Sequence, residues 1–238
     1  MQTLQQIIDR GKRIVFFGGA GVSTESGIPD FRGTDGLYRQ KYGDLTPEMM
    51  LSASFFMLHP DRFFEFYREN MLHPQARPNA CHEVLFRLEQ KKKLRGIVTQ
   101  NIDGLHRLAG NRLVYEIHGS VHENYCMDCG REYSLDWLLH TSGTPKCERC
   151  GGIVKPYVVL YGEAPDKYTC MGACREISNC DVLIVAGTSL EVEPAASFLE
   201  YFRGRDLVVI NREATPADGR ATLVLRENIA ECFAQLQV

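Results

Sequence analysis

A chain of 238 residues is long enough for one large domain, or for a large and a small one, and should bury roughly three-quarters of its unfolded surface without disulfide staples. With 44% hydrophobic and 24% charged residues it reads as globular rather than disordered or fibrous, and a formal charge of -3 argues against general nucleic-acid binding. No apolar run approaches the roughly 20 residues that span a bilayer, residues 1–11 lack signal-peptide order, and the nine cysteines are expected as cytoplasmic thiols or thiolate ligands rather than disulfides.

Along the chain, Leu4, Ile7 and Ile8 recur at helical spacing. The apolar run 14–17 then leads into Gly18, Gly19 and Gly21, which reads as a buried strand, a phosphate turn and the start of a helix. Residues 27–33 are too rich in Gly, Pro and charge for a packed element and read as a loop over a cofactor. An aromatic-rich helical stretch follows at 54–71. Further strands are predicted at 96–99, 113–117, 157–161, 182–186 and 207–210, with helix-length segments between several of them. Nearly continuous Val, Ile and Leu in such runs is what a parallel sheet covered on both faces requires. The expected fold is therefore α/β. A Rossmann-like parallel-sheet domain (1–34, 74–120 and 155–238) carries a smaller lobe made of a helical insertion (35–73) and a four-cysteine zinc ribbon (121–154), with ligands in the cleft between them.

Cys126 and Cys129, then seventeen residues, then Cys147 and Cys150 have the spacing of two knuckles that hold one zinc ion. Two unrelated pairs of reduced cysteines are the alternative. Four thiolates close the coordination sphere, so such a zinc would be structural, with no position for an activated water. Cys81, Cys170, Cys174, Cys180 and Cys232 are expected to pack in the interior. The glycine turn at 18–23 is a weak signal alone, because Thr24 stands where a third glycine would complete a dinucleotide fingerprint. It gains weight from three other polar clusters at predicted strand ends, 99–106, 116–120 and 187–189. In an open α/β sheet, strand carboxyl ends point into the ligand crevice, so the four clusters should converge.

Taken in order, Gly19-Ala20-Gly21-x-Ser23, Gly27-Ile28-Pro29-Asp30-Phe31-Arg32, Thr99-Gln100-Asn101-Ile102-Asp103, His118-Gly119, the two cysteine pairs, Gly187-Thr188-Ser189-Leu190 and Ile210-Asn211 resemble the sirtuin family over nearly the whole chain. The resemblance implies an NAD-dependent protein lysine deacetylase of bacterial type. Gly19, Ala20, Gly21, Thr24, Arg32, Gln100, Gly187, Thr188, Ser189 and Asn211 would line the NAD site, with Ile229 near the adenine. Phe31, Ile102 and Asp103 would surround nicotinamide, Asp103 bonding its carboxamide, and Asn101 would order the ribose or a water. His118 would be the general base on a ribose hydroxyl, a task suited to a group whose ordinary pKa lies near neutrality. The implied products are nicotinamide, O-acetyl-ADP-ribose and the freed lysine.

Val159 and Tyr161 would line the acyl-lysine tunnel, and Gly162, Glu163, Glu191 and Val192 would offer backbone to an extended acetylated segment by strand addition. Two positions depart from the family's pattern: Gly18 replaces a hydroxyl residue, and Tyr161 replaces a usual Phe. Sirtuins that remove acidic acyl groups carry Tyr-x-x-Arg in this insertion, whereas here Tyr67 is followed three residues later by Asn70. A protein ADP-ribosyltransferase would keep the same NAD loop and His118, and a zinc-ribbon or NAD-sensing module without turnover would keep the cysteines. Neither requires nicotinamide release that depends on acetylated peptide.

Overall fold

The computed structural model describes residues 3–31, 33, 36–39 and 42–238, with the side chain of Arg39 excepted. Its strands are β1 (Ile14–Gly18), β2 (Leu94–Thr99), β3 (Val114–Glu116), β4 (Gly119–Cys126), β5 (Glu132–Ser134), β6 (Val154–Val158), β7 (Val182–Ala186), β8 (Asp206–Ile210) and β9 (Leu223–Leu225). Helix α1 (Leu4–Arg10) is opened by a capping box in which Thr3 and Gln6 exchange side-chain and backbone bonds. Helices α2 (Pro47–Met50), α3 (Ala53–Leu58) and α4 (Pro60–Asn70) form the aromatic insertion, and α5 (Ala80–Gln90) follows it. The remaining helices are α6 (Leu105–Leu108), α7 (Leu135–Leu139), α8 (Lys167–Asn179) and α9 (Ile229–Ala234). No described helix is long and apolar enough to cross a membrane.

Six strands form one parallel sheet in the order β3-β2-β1-β7-β8-β9. Every residue of β1, β7 and β8 is buried, which is why those runs carry no polar alternation. On one face Ile14, Phe16, Ile184 and Val208 pack with Leu4, Ile7, Leu88 and Phe233. On the other, Val15, Phe17, Leu183 and Val209 pack with Ala173, Ile177 and Phe198. Each such side chain, fully buried, contributes about 1.5–3 kcal/mol of transfer free energy. The strand order reverses between β1 and β7, so a crevice opens there at the carboxyl ends of the strands.

The second sheet is antiparallel, in the order β5-β4-β6. Here the structure corrects the sequence reading: the run expected at 157–161 is not a parallel-sheet strand. The strand is Val154–Val158, paired with β4, and only Tyr161 beyond it makes a bridge, to Ser52. An apolar run records burial and not the identity of the neighbouring strand. Strands β4 and β6 consequently run across the expected lobe boundaries at 120 and 155. The aromatic insertion packs as foreseen, with Phe56, Phe63, Phe64, Phe66 and Tyr67 all buried. Phe63 meets Phe56 edge-on at 4.9 Å and stacks on Tyr67 at 5.5 Å.

Candidate active site

The site is built on the reversal point. After β1 the chain forms two 3-10 turns, Ala20–Val22 and Thr24–Ser26, in place of the expected helix. The reason is how tightly the turn lies on the end of β7. Gly21 N–H donates to the Gly187 carbonyl at 2.9 Å, and a Cβ on Gly21 would stand 2.7 Å from the Gly187 Cα. Gly187, at φ +63, sits in the left-handed region that favours glycine. From behind, Asn79, the N-cap of α5, donates its amide to the Val22 carbonyl at 2.8 Å and to Ser26 Oγ at 3.0 Å. A glycine cradle held this way admits a phosphate close to the backbone.

The end of β2 supplies a hydrogen-bonded array. Gln100 donates its amide to Thr188 Oγ1 at 3.0 Å, Asn101 donates to Ser23 Oγ at 3.1 Å, and Ser23 donates to the Asp103 carboxylate at 2.7 Å. The other Asp103 oxygen accepts from Leu105 N–H at 2.9 Å. His118, between β3 and β4, places Nδ1 2.9 Å from the Gln100 carbonyl. A carbonyl can only accept, so Nδ1 carries the hydrogen and Nε2 is left as the acceptor. Burial pushes the His118 pKa below its ordinary value, and the Gln100 bond opposes this in part. The imidazole is therefore neutral near pH 7. Gly119 must be glycine: it has φ +78, and a Cβ there would lie 1.9 Å from the Tyr157 carbonyl.

These groups share one cleft of about 990 Å³. Its walls bring together Gly19, Ala20, Gly21, Thr24, Phe31, Gln100, Asn101, Ile102, His118, Gly187, Thr188, Ser189, Asn211 and Ile229, together with Val159, Tyr161, Gly162, Glu163 and Val192. Asp103 and Glu191 are the exceptions: neither lines the cleft, and the Asp103 carboxylate is turned to Ser23 and Leu105. Arg32 lies outside the described residues. Sequence reasoning passed over Glu25, Tyr38, Met71, Glu213, Glu227 and Asn228, which also line it. Only Asn228 carried a signal, as the N-cap of α9, whose side chain also reaches Glu25 at 2.5 Å.

At the far end, Val159 N–H donates to the His118 carbonyl, and Tyr161 is tied through its backbone to Leu51 and Ala53, each at 3.0 Å. The Tyr161 hydroxyl, the polar atom that a Phe would lack, bonds the Tyr38 hydroxyl. Tyr67 lines the cleft with its hydroxyl buried and without a partner among the described residues, and burial pushes its pKa up. Asn70 is engaged elsewhere, accepting from the Tyr42 hydroxyl at 2.8 Å and donating to the Phe66 carbonyl at 2.9 Å. Arg68 turns away to Thr141 at 3.0 Å and over the Phe64 ring.

The four cysteines meet as their spacing requires. Sγ atoms of Cys126 and Cys150 are 3.4 Å apart, those of Cys129 and Cys147 are 3.6 Å apart, and all four lie within 4.8 Å of one another. A tetrahedral zinc with bonds of about 2.3 Å sets sulfurs about 3.8 Å apart, so the donor set fits that ion. Both knuckles are made alike: Gly130 N–H returns to the Cys126 carbonyl and Gly151 N–H to the Cys147 carbonyl, each at 2.9 Å. Both glycines have positive φ, +71 and +76. The other five cysteines are free, with Cys81, Cys180 and Cys232 buried and Cys170 and Cys174 half-buried on α8.

A doubly wound sheet with a glycine cradle at its reversal point, and a neutral histidine sharing that cleft, defines a dinucleotide-binding α/β protein with an inserted four-cysteine lobe. Residues 19–194 match the model of the Sir2 family. The chain belongs to that family, the sirtuins. It is 53% identical over 230 residues to an NAD-dependent protein deacetylase of Clostridium acetobutylicum, covering 96% of this chain and 94% of the relative. A protein of the same description from Clostridium perfringens is 50% identical over 235 residues, covering 98% and 96%. Among solved structures, a Sir2 protein with p53 peptide and NAD+ superposes with a TM-score of 0.85 at 35% identity, over 98% of this chain and 96% of that one. A Sir2 protein with deacetylated p53 peptide and 3'-O-acetyl-ADP-ribose gives 0.88 at 35% identity, with the same coverage.

Proposed function

We propose that the protein removes acetyl groups from protein lysines with NAD as co-substrate and one water consumed, giving nicotinamide, O-acetyl-ADP-ribose and the free lysine. The observation that carries this reading is His118, held as the Nδ1–H tautomer by the Gln100 carbonyl on the wall of the cleft. The deacetylase relatives, and the Sir2 structures that hold NAD+ or O-acetyl-ADP-ribose with peptide, support it.

NAD supplies an anomeric carbon bearing nicotinamide as leaving group, which the acyl oxygen of the substrate lysine can attack. The chain's own residues do the rest. Gly19, Gly21 and Gly187 admit the pyrophosphate to the backbone, and Ala20, Thr24, Gln100, Thr188, Ser189, Asn211 and Ile229 line the rest of the dinucleotide site. Phe31 and Ile102 flank the nicotinamide end and exclude water from it. Asp103 acts through Ser23, fixing Asn101 to order the ribose. His118 Nε2 then accepts the proton of a ribose hydroxyl, which closes onto the acyl carbon; one water adds to that carbon and the lysine nitrogen leaves it as the free amine. The acetylated segment lies extended between 159–163 and Val192 and adds as a strand. One structural zinc on Cys126, Cys129, Cys147 and Cys150 holds the small lobe without taking part in the chemistry. Free cysteines throughout are compatible with a cytoplasmic setting.

Labelled NAD incubated with an acetylated peptide tests the reading. Label in free O-acetyl-ADP-ribose, with nicotinamide released only when the peptide is acetylated, is expected. Label fixed on protein would make it an ADP-ribosyltransferase, and no release at all would make it a binding module.

A further inference from the structure

Lys155 is 4% exposed, and lysines are almost never buried unless paired. Its ammonium has found three acceptors on the chain that follows it: the Glu163 carboxylate at 3.1 Å, the Val158 carbonyl at 3.0 Å and the Pro156 carbonyl at 3.3 Å. That matches its three donors. Burial draws the Lys155 pKa down while the Glu163 carboxylate draws it back up. The oxygen of Glu163 that takes the lysine also accepts from Leu160 N–H at 2.9 Å, and Glu163 N–H returns to the Leu160 carbonyl at 2.9 Å. The turn is thus closed on itself and gripped from beneath.

Residues 158–163 all line the cleft. On its other side the turn is fastened by the Val159 bond to His118 and the Tyr161 bonds to Leu51 and Ala53. Lys155 is the fastening from β6, and β6 is rooted in the ribbon: Val154 pairs with Cys126 and packs with Cys126 and Cys147. A buried ion pair is a weak source of stability, and apolar side chains in place of both partners would serve packing as well or better. What an apolar side chain cannot do is fix where Glu163 and the Val158 carbonyl stand.

We propose that Lys155 is a positioning residue of the peptide groove, setting the turn 158–163 on which the acylated segment lies and linking that turn to the ribbon. The proposal rests on the deacetylase reading above. Lys155→Met keeps the length and removes the charge and all three donors. It should raise the KM for an acetylated peptide about 10- to 100-fold, the scale of misplacing a binding element by about 1 Å, with kcat and the NAD KM within about threefold of wild type. Zinc content should stay near wild type, the melting temperature should fall without loss of the fold because the Glu163 side chain is 31% exposed and can turn to water, and Lys155→Arg, which restores a cation and donors, should recover most of the loss. A folded, zinc-replete Lys155→Met enzyme with wild-type peptide KM overturns the proposal, as does an equal rise in both KM values. If Lys155→Met does not fold, Glu163→Gln decides, because it alters a surface-reaching partner and leaves Lys155 its two carbonyls. A rise of about 3- to 10-fold confined to peptide KM supports the grip, and an unchanged peptide KM overturns it. A wild-type enzyme that fails to deacetylate sinks the underlying reading instead, so the two failures are told apart.

Discussion

His118 owes its usefulness as a base to two opposed effects of place: burial favours its neutral form, and the Gln100 carbonyl fixes which nitrogen is free. His118→Ala should fold and bind NAD while deacetylation falls about 100- to 10,000-fold, the usual worth of a positioned base. The pH profile tests the sign. Because its pKa lies below the ordinary value of about 6.5, the proton-accepting form persists into mild acid. The acid limb of kcat/KM should therefore fall off below that pH, and a limb at neutrality or above would remove His118 from the role. Tyr67 and Asn70 decide a different matter, the acyl group. Tyr67 offers the cleft a neutral hydroxyl, Asn70 is spent on Tyr42 and Phe66, and Arg68 is turned to Thr141. A succinyl carboxylate would meet none of these as a cation, and an uncompensated buried charge costs several kcal/mol. We expect acetyl to be preferred over succinyl by at least about 100-fold in kcat/KM, or roughly 2.7 kcal/mol. Matched peptides measure it, and equal rates would mean that another cation reaches the tunnel.

Helix α5 does more for the site than cover the sheet, because its N-cap faces two ways. Asn79 accepts from Cys81 N–H with its oxygen and holds Val22 and Ser26 with its nitrogen. Asn79→Ala should lose about 1 kcal/mol for the cap and a similar amount for the loop bonds, and raise the NAD KM. Asn79→Asp separates the two, since a carboxylate still caps but cannot donate: the melting temperature should hold while the NAD KM rises. A rise in neither variant would leave Asn79 a cap alone. No sequence pattern pointed to this residue, because a helix cap reads the same whatever lies behind it. Strands β1, β7 and β8 were legible since their burial on both faces forces nearly unbroken apolar runs, and β2 was legible only over 96–99, because Arg95 is exposed and interrupts the run. Strand β9 was missed because its three residues are only half-buried and alternate with nothing. The helix expected after Gly21 failed for a tertiary reason, the contact with Gly187. The site clusters were legible as strand ends, whereas Lys155 was not, because a buried lysine looks like a surface one until its acceptors are known.

Viewed as a whole molecule, the two lobes are joined by strands and not by a flexible tether. Strand β4 begins at Gly119, beside His118, and ends at Cys126, while β6 runs back from the ribbon to the groove. Zinc binding in isolated ribbon-like peptides is worth about 10–16 kcal/mol at neutral pH, comparable to the entire stability of a domain. With zinc on the four cysteines as proposed, the small lobe is expected to depend on that ion, whereas the parallel sheet has its own two apolar layers. Cys147→Ser removes one ligand and should release the zinc. Its damage should be graded in space: hydrogen exchange should rise first in β4, β5, β6 and 158–163, while β1, β7 and β8 stay protected. NAD binding should outlast peptide binding for the same reason, since the glycine cradle is anchored on β1 and β7 and the peptide turn on β6. Metal analysis, exchange and two binding titrations on one preparation check each step. A variant that holds no zinc yet keeps its small lobe ordered and its full activity would show that the four thiols need no ion, and with that the ribbon would lose its part in shaping the groove.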